Sequence, residues 1–150
     1  MPQSLSNVLV HLTFSTKERR PLIHADVEAE LHHYLGGVCR DNGCPSHGVG
    51  GTEDHVHICF TLSRTTTLAH IAEEVKRSSS KWIKTKGDPY RSFAWQAGYG
   101  AFSIGQSGLE ALRSYIATQK EHHKKRDFRA EFRALLRKYN IDYDEAYVWD

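Results

Sequence analysis

The sequence predicts an α+β fold of the split β-α-β, ferredoxin-like type, in which an antiparallel sheet is followed by C-terminal helices. Residues 7–15 and 54–62 alternate between apolar and polar side chains, which is typical of strands with one buried face. Residues 26–42 and 67–84 carry apolar side chains at helical spacing. The resulting order is β-α-β-β-α-β and then two helices, which is the order of the split β-α-β class.

Length and composition predict a single domain over residues 1–150, with a core at about 5–105 and C-terminal helices at about 107–140. No apolar run approaches the roughly 20 residues that cross a bilayer, and the N-terminus lacks the pattern of a signal peptide. Three cysteines do not make a disulfide framework, so we expect a cytoplasmic protein with no membrane partner. The net charge of +2 excludes a uniformly basic nucleic-acid coat.

The first strand and the first helix follow directly from periodicity. Every second residue from Val8 to Phe14 is apolar, which predicts a half-buried strand, and His11 lies on its opposite face. The first helix, at about residues 26–42, ends before Gly43, a residue suited to a C-terminal cap. The glycine-rich segment 45–53 is interpreted as a strand end and a turn into the next strand.

The later elements are marked by caps and glycines. Thr66 or Thr67 is the predicted N-cap of the second helix. Residues 92–105, rich in aromatic and small side chains, predict a final strand with glycines that permit close approach. Ser107 and Glu110 have the spacing of a capping box, and Asp127 is the expected cap of the last helix.

Two histidines stand two residues apart in the stretch TEDHVHICF. Because strand side chains alternate, His55 and His57 share one face, which we expect to be exposed, and Val56 and Ile58 share the apolar one. Two imidazoles on one face can converge on one metal ion. The alternative is that they are ordinary polar residues on a solvated strand face.

A second group lies on the helix after the last strand. Tyr115, Gln119 and His123 follow each other at intervals of four residues and therefore project from one side of a helix. Taken alone, a half-buried tyrosine with a hydrogen-bonded hydroxyl explains Tyr115 equally well.

The two groups together resemble a known family. DHVHICF, followed by WQAGYGAFSIGQS and then YIATQKEHH, is similar to the single-tyrosine HUH transposases of bacterial insertion sequences and to the repeat-associated tyrosine transposases. The HUH motif, a bulky apolar residue between two histidines, is His55, Val56 and His57 here. The resemblance covers most of the chain, and the downstream Tyr-x-x-x-Gln pattern makes it specific.

The resemblance implies a chemistry and a set of roles. It implies that the chain cleaves and rejoins single-stranded DNA at mobile-element ends, with Tyr115 as the nucleophile that becomes linked to the 5′ phosphate. It implies that His55, His57 and Gln119 bind Mg²⁺ or Mn²⁺. It further implies a DNA hairpin as partner, a homodimer and no nucleotide cofactor, in agreement with the lack of a phosphate-binding loop sequence.

Two alternatives remain open at this stage: another HUH nuclease, such as a replication initiator or relaxase, and a non-catalytic ferredoxin-like nucleic-acid-binding module. A basic run on the second helix favours DNA binding in either case, although a solvated helix face explains it as well. The predicted DNA-binding residues are Lys76, Arg77, Lys81, Lys84 and Lys86.

Several other residues have open roles. Asp54 either orients a histidine or is an exposed acid in a turn. His123 extends the Tyr115–Gln119 face as an extra ligand or proton carrier, and His122 is expected at the surface. Structural roles are favoured over a zinc site for one further group: Cys39, Cys44 and His47.

Overall fold

The structure, a computed structural model, describes residues 2–150 and contains a four-stranded antiparallel sheet with helices on both faces. The strands are β1 (Leu9–Ser15), β2 (Ser46–Gly51), β3 (His55–Thr61) and β4 (Gly100–Ile104). The α-helices are α1 (Ala25–Asp41), α2 (Leu68–Lys84), α3 (Leu109–Ala117), α4 (Gln119–His122) and α5 (Phe128–Lys138). The sheet order is β2-β3-β1-β4, and every pairing is antiparallel. The predicted ferredoxin-like α+β class is confirmed.

Helices α1 and α2 cover the apolar face of the sheet. The alternating residues of β1 and β3, such as Leu12 and Ile58, are fully buried against these helices. Each large apolar side chain buried in this way contributes about 1.5–3 kcal/mol. The predicted helix ends are observed, since Thr67 caps α2 by accepting from the backbone N–H of His70, and Gly43 follows α1 with φ of 73°. That left-handed conformation favours glycine.

The opposite face of the sheet carries the histidines and is covered by the C-terminal helices. His11 is 1% exposed, and His55 and His57 are each 0% exposed. The expectation of an exposed histidine face is therefore wrong. The cover is supplied by α3, α4 and α5, whose apolar side chains Leu112, Ile116, Phe128 and Phe132 pack over this face.

Two glycines in the sheet allow these helices to approach closely. A Cβ atom at Gly50 of β2 would collide with the backbone carbonyl and side chain of Ile116 in α3. A Cβ atom at Gly100 of β4 would collide with the ring of Phe132 in α5. The glycine-rich segment that the sequence marks as a strand end thus forms β2 and supports the helix that bears Tyr115.

The start of α3 differs from the sequence prediction. A 3-10 turn over Gln106–Gly108 occupies the predicted cap, and α3 begins at Leu109 with no side-chain cap. The capping box of Ser107 and Glu110 is therefore wrong.

The predicted continuous helix after β4 is also broken, at Thr118, whose φ and ψ are −110° and 27°. The Thr118 hydroxyl donates to the carbonyl of Ser114 at 2.9 Å, a local bond of the kind that bends helices. The predicted cap of α5 is confirmed, because Asp127 accepts from the backbone N–H of Ala130 at 2.9 Å. Within residues 2–150, no helix combines the length and apolar character needed to cross a membrane.

Candidate active site

Each of the two HUH histidines is contacted at Nδ1 by a different set of partners. Nδ1 of His55 lies 2.8 Å from a carboxylate oxygen of Asp54 and 3.0 Å from the hydroxyl of Thr52. Nδ1 of His57 lies 2.7 Å from Nε2 of His11, which projects from the neighbouring strand β1. Both Nε2 atoms therefore face the space under the C-terminal helices. Of the two roles left open for Asp54, the contact with His55 is the one observed.

A buried carboxylate from α5, Glu131, occupies the centre of this space. Its Oε1 lies 2.9 Å from Nε2 of His57, 3.2 Å from Nε2 of His123 and 3.6 Å from Nε2 of His55. Its Oε2 accepts hydrogen bonds from the Tyr115 hydroxyl and, at 3.1 Å, from the amide of Gln119. The Glu131 side chain is 0% exposed, so its charge is balanced by these partners and not by water.

Glu131 was not predicted from the sequence, although its position within α5 indicates that it is buried. Residue 131 lies within the apolar stripe of α5, between Phe128 and Phe132, both of which are buried. A carboxylate at such a position must find partners, because an unpaired buried charge is very costly. A charged residue on the apolar face of an amphipathic helix is thus the pattern that identifies it.

The donor atoms can accommodate a cation. One ligand atom each from His55, His57 and Glu131 lie within 4.8 Å of one another, and all three residues are buried. The amide oxygen of Gln119 adds a fourth donor, 2.9 Å from Nε2 of His55. Two imidazoles with a carboxylate and an amide oxygen form a plausible set for a divalent metal ion. Gln119, which the sequence predicted as a ligand, thus lies beside His55. Glu131, which was not predicted, supplies a carboxylate to the same group of donor atoms.

The electrostatics of the site follow from burial. Burial raises the pKa of the Glu131 carboxyl, but hydrogen bonds from His123, His57 and Tyr115 outweigh it and hold the pKa well below its usual range. Burial lowers the pKa of His57, and burial likewise lowers the pKa of His11 to about 3. Burial and the Glu131 carboxylate raise the pKa of Tyr115 to about 12. The phenol is therefore protonated at neutral pH, and its hydroxyl donates a hydrogen bond to Glu131.

Tyr115 is half-buried and contacted on three sides. The ring of His122 packs on its ring at a centroid distance of 4.6 Å, with an interplanar angle of 32°. Nη2 of Arg126 lies 3.4 Å from the Tyr115 hydroxyl, and the His57 ring meets the Tyr115 ring edge-on at 5.9 Å. His122 is partly exposed, in line with the expectation of a surface position, and one side of its ring packs against the tyrosine. Tyr115, Gln119 and His123 meet at Glu131, as their spacing predicts.

The predicted DNA-binding residues lie on α2, or two residues beyond its end in the case of Lys86, across the sheet from Tyr115. Lys76 differs from the others, since its ammonium donates to the backbone carbonyls of Gln96, Ala97 and Gly98. Burial lowers the pKa of Lys76 to about 8. The outer side chains are exposed, and some form surface ion pairs, such as Lys86 with Glu30 at 2.9 Å.

The buried cysteines do not belong to this cluster. Cys39, Cys44 and Cys59 are free and buried, and burial raises the pKa of the Cys39 thiol to about 12. A thiol with such a pKa is a small apolar group at neutral pH.

All four strands, the histidine pair of β3 and Tyr115 of α3 lie within the part of the chain that matches a known family of transposases. Residues 4–119 match the family model described as "Transposase IS200 like". The chain therefore belongs to the IS200-like transposase family. Among proteins with curated functions, none matches the chain in sequence.

Two solved structures share the fold. One, from Deinococcus radiodurans R1 and provisionally assigned as a transposase, is 17% identical with a TM-score of 0.62; the match covers 79% of this chain and 98% of the other. The second is a REP-associated tyrosine transposase bound to a REP hairpin, 17% identical with a TM-score of 0.60; the match covers 82% of this chain and 72% of the other. At this identity the likeness establishes the fold.

Proposed function

We propose that this chain cleaves and rejoins single-stranded DNA at the ends of a mobile element, with Tyr115 as the nucleophile. One observation carries the proposal: Glu131 accepts from the Tyr115 hydroxyl through one oxygen and faces His55 and His57 with the other. A nucleophile and a cation-binding donor set therefore meet at one point, as phosphoryl transfer requires. Membership in a transposase family supports DNA as the substrate.

In the cleavage step, the phenolic oxygen of Tyr115 bonds to the scissile phosphorus while the bond from phosphorus to the 3′ oxygen breaks. The 5′ phosphate stays on Tyr115, and the departing 3′ oxygen takes up a proton to become a hydroxyl. Glu131 takes the phenol proton through the hydrogen bond that joins the two groups and returns a proton, through water, to the departing 3′ oxygen, so that no proton is gained or lost overall. Arg126, 3.4 Å from the hydroxyl, stabilises the negative charge on that oxygen. Rejoining reverses these bonds, so no nucleotide cofactor is required.

The residues fit a divalent cation, Mg²⁺ or Mn²⁺, held by His55, His57, Gln119 and Glu131. When bound, such an ion supplies charge neutralisation at the phosphate oxygens. With the ion bound, His57 would donate Nδ1–H to Nε2 of His11, and its own Nε2 lone pair would then be free to bind the ion. The carboxylate of Glu131 favours a hard ion that prefers oxygen ligands.

We propose a DNA hairpin near the element ends as the recognised substrate. A structure similar to this one is bound to a REP hairpin. The exposed basic side chains on α2 and just beyond its end would neutralise phosphates of that DNA, whereas Lys76 is occupied by backbone carbonyls. The basic residues proposed for this contact are Arg77, Lys81, Lys84 and Lys86.

The proposed organisation is a single domain over residues 1–150 that forms a homodimer and acts in the cytoplasm, where its DNA lies. Within one chain, the Tyr115 hydroxyl reaches Glu131 beside the chain's own His57. We therefore propose that each subunit cleaves with its own tyrosine.

The test uses the full chain and labelled single strands from the DNA that flanks its gene. Each strand is incubated with protein and Mn²⁺ and separated on a denaturing gel. We expect a covalent protein–DNA band on one strand that disappears with EDTA, with duplex DNA or with Tyr115→Phe. Tyr147→Phe, at a tyrosine that is 70% exposed, is the matched control and should leave the band unchanged.

Each alternative gives a different gel. A non-catalytic binding module would shift the strand on a native gel, form no adduct, and ignore Mn²⁺ and the Tyr115→Phe change. A metal-dependent hydrolase without a covalent intermediate would lose cleavage with EDTA but keep it in Tyr115→Phe. Another HUH nuclease would form the Tyr115 adduct without preference for DNA at element ends.

A further inference from the structure

A cavity of about 540 Å³ opens beside Tyr115, and the proposed chemistry leaves its interior unassigned. Its floor is formed by His11 of β1 and Ile104 of β4. Leu112 and Tyr115 of α3 line one wall, and residues 134, 135, 138 and 139, at and just beyond the end of α5, line the other. The volume is within the range of about 300–1,000 Å³ that is common for small-molecule sites.

The lining combines flat rings, apolar side chains and cations. The rings of His11 and Tyr139 both lie against Phe102, at centroid distances of 5.9 Å and 4.9 Å, so the surrounding structure holds them in place. The cations are Arg126 and Lys138, whose side chains are exposed. A ligand that suits this lining is aromatic at one end and anionic at the other.

Small residues keep the cavity open. Ala111 on α3 and Ala134 on α5 face it from opposite walls, and Gly105 and Gly108 lie at its rim. Larger side chains at these positions would fill the space, so the cavity can be closed by substitution while Tyr115 and the histidines themselves are kept.

We propose that this cavity is a nucleotide subsite, which takes the base of the nucleotide next to the scissile phosphate and contacts its phosphate through Lys138 and Arg126. The inference rests on the proposed function for its position in the DNA strand. Arg126 connects the two sites, because it lines the cavity and also contacts the Tyr115 hydroxyl. A base in this cavity would fix the strand relative to the nucleophile and select the cleavage position.

The experiment measures binding without cleavage. The full chain, labelled with ¹³C at alanine and leucine methyl groups, is titrated in EDTA with each of the four deoxynucleoside monophosphates. We expect saturable shifts at the methyls of Ala111, Ala134 and Leu135 with at least one of them. Base stacking should account for most of the affinity. We therefore expect 2-deoxyribose 5-phosphate, which has no base, to bind at least about tenfold more weakly.

Two pairs of variants separate the cavity from its surroundings. Ala111→Phe fills the cavity and should weaken nucleotide binding at least about tenfold, whereas Ala117→Phe, exposed on another side of α3, should leave it within about twofold. Lys138→Gln should weaken binding, whereas Arg137→Gln, which faces a different surface, should not. Unchanged methyl spectra of distant alanines verify that each variant is folded.

Two outcomes would overturn the inference: none of the four nucleotides shifts these methyls, or the shifts occur at Ala69, Ala72 and Ala97 beside α2 instead. Because the measurement needs neither metal nor cleavage, it separates this inference from the proposed function. Binding here in a chain that forms no DNA adduct would support the subsite and refute the chemistry. A DNA adduct in a chain whose cavity binds no nucleotide would support the chemistry and refute the subsite.

Discussion

Replacing Glu131 by glutamine is the sharpest perturbation that the structure offers. The substitution keeps the shape of the side chain and removes its charge. Glu131 accepts four hydrogen bonds in a fully buried position, from His57, His123, Gln119 and Tyr115. A glutamine has only one acceptor oxygen, so its amide group must donate toward one pair of these partners.

The size of the effect follows from the hydrogen bonds. A bond to a charged group contributes about 1.5–3 kcal/mol and a neutral one about 0.5–1.5 kcal/mol, so each of the four bonds weakens by about 1 kcal/mol. Relaxation recovers part of this, because imidazoles can accept from the new amide group. We expect Glu131→Gln to lower the free energy of unfolding by about 2–4 kcal/mol at pH 7 in EDTA.

The same substitution should reduce the response to metal. A ligand that binds only the folded state stabilises it by RT ln(1 + [L]/Kd), so a tenfold weaker Mn²⁺ site contributes about 1.4 kcal/mol less at saturating metal. We expect at least this loss, because a charged ligand is removed. The stability difference between Glu131→Gln and the unaltered chain should therefore be larger in Mn²⁺ than in EDTA.

The assay is urea denaturation, with and without MnCl₂, followed by tryptophan fluorescence. Glu121→Gln is the matched control, because Glu121 is exposed and pairs only with Lys124 at the surface. It should change the stability by less than about 0.5 kcal/mol and leave the Mn²⁺ response intact. A Glu131→Gln protein that is as stable as the original, with an unchanged Mn²⁺ response, would refute the place given to this carboxylate.

The remaining predictions concern pH, helix position and assembly. Because burial lowers the folded-state pKa of His11 to about 3, the unfolded chain binds more protons below pH 6.5, and stability in EDTA should fall by about 2 kcal/mol from pH 6.5 to 5. In His11→Gln this decline should be smaller. Gly50→Val should displace α3 and reduce adduct formation at least about tenfold, while Gly48→Ala, whose added Cβ meets only ordinary contacts, should be silent. Mixing Tyr115→Phe with His57→Ala protein should give no adduct if each subunit uses its own tyrosine, and recovery of adduct would contradict this.

The sheet could be predicted from the sequence because its apolar face obeys one simple rule. Alternation in residues 7–15 and 54–62 identifies two central strands, and helical spacing identifies α1 and α2. These patterns are local and reflect burial of one face, so they do not depend on which elements lie nearby. The N-caps at Thr67 and Asp127 could be predicted for the same reason, because each contacts a backbone N–H only three residues further on.

The candidate site was predictable only in part, because its remaining members depend on tertiary contacts. The spacing of Tyr115, Gln119 and His123 brought them to one point even though the helix breaks between them. The apolar stripe of α5 indicates that Glu131 is buried, but its partners could not be predicted, since nothing local tells which surface α5 covers. The position of His122 against the tyrosine depends on the break at Thr118, which the strong helical pattern concealed.

The two faces of the sheet bury different kinds of side chain, and this difference affects how the C-terminal helices are held in place. The face toward α1 and α2 buries mainly apolar side chains, such as Leu12 and Ile58, whereas the other face mixes His11, Thr13 and the HUH pair with apolar side chains such as Phe102. Removing α1 and α2 would expose the main core, and lifting α3 to α5 would expose two smaller apolar clusters together with these polar side chains.

The C-terminal helices are held by these apolar clusters, by the close approaches at Gly50 and Gly100 and by the Glu131 hydrogen bonds. Among these contacts, the Glu131 carboxylate is the one that links Tyr115 directly to His57. If a partner subunit were to exchange its tyrosine helix, Glu131 of one chain would have to find the same donors on another. The mixed-variant experiment tests that requirement directly, because only an exchanged helix can bring an intact Tyr115 to an intact His57.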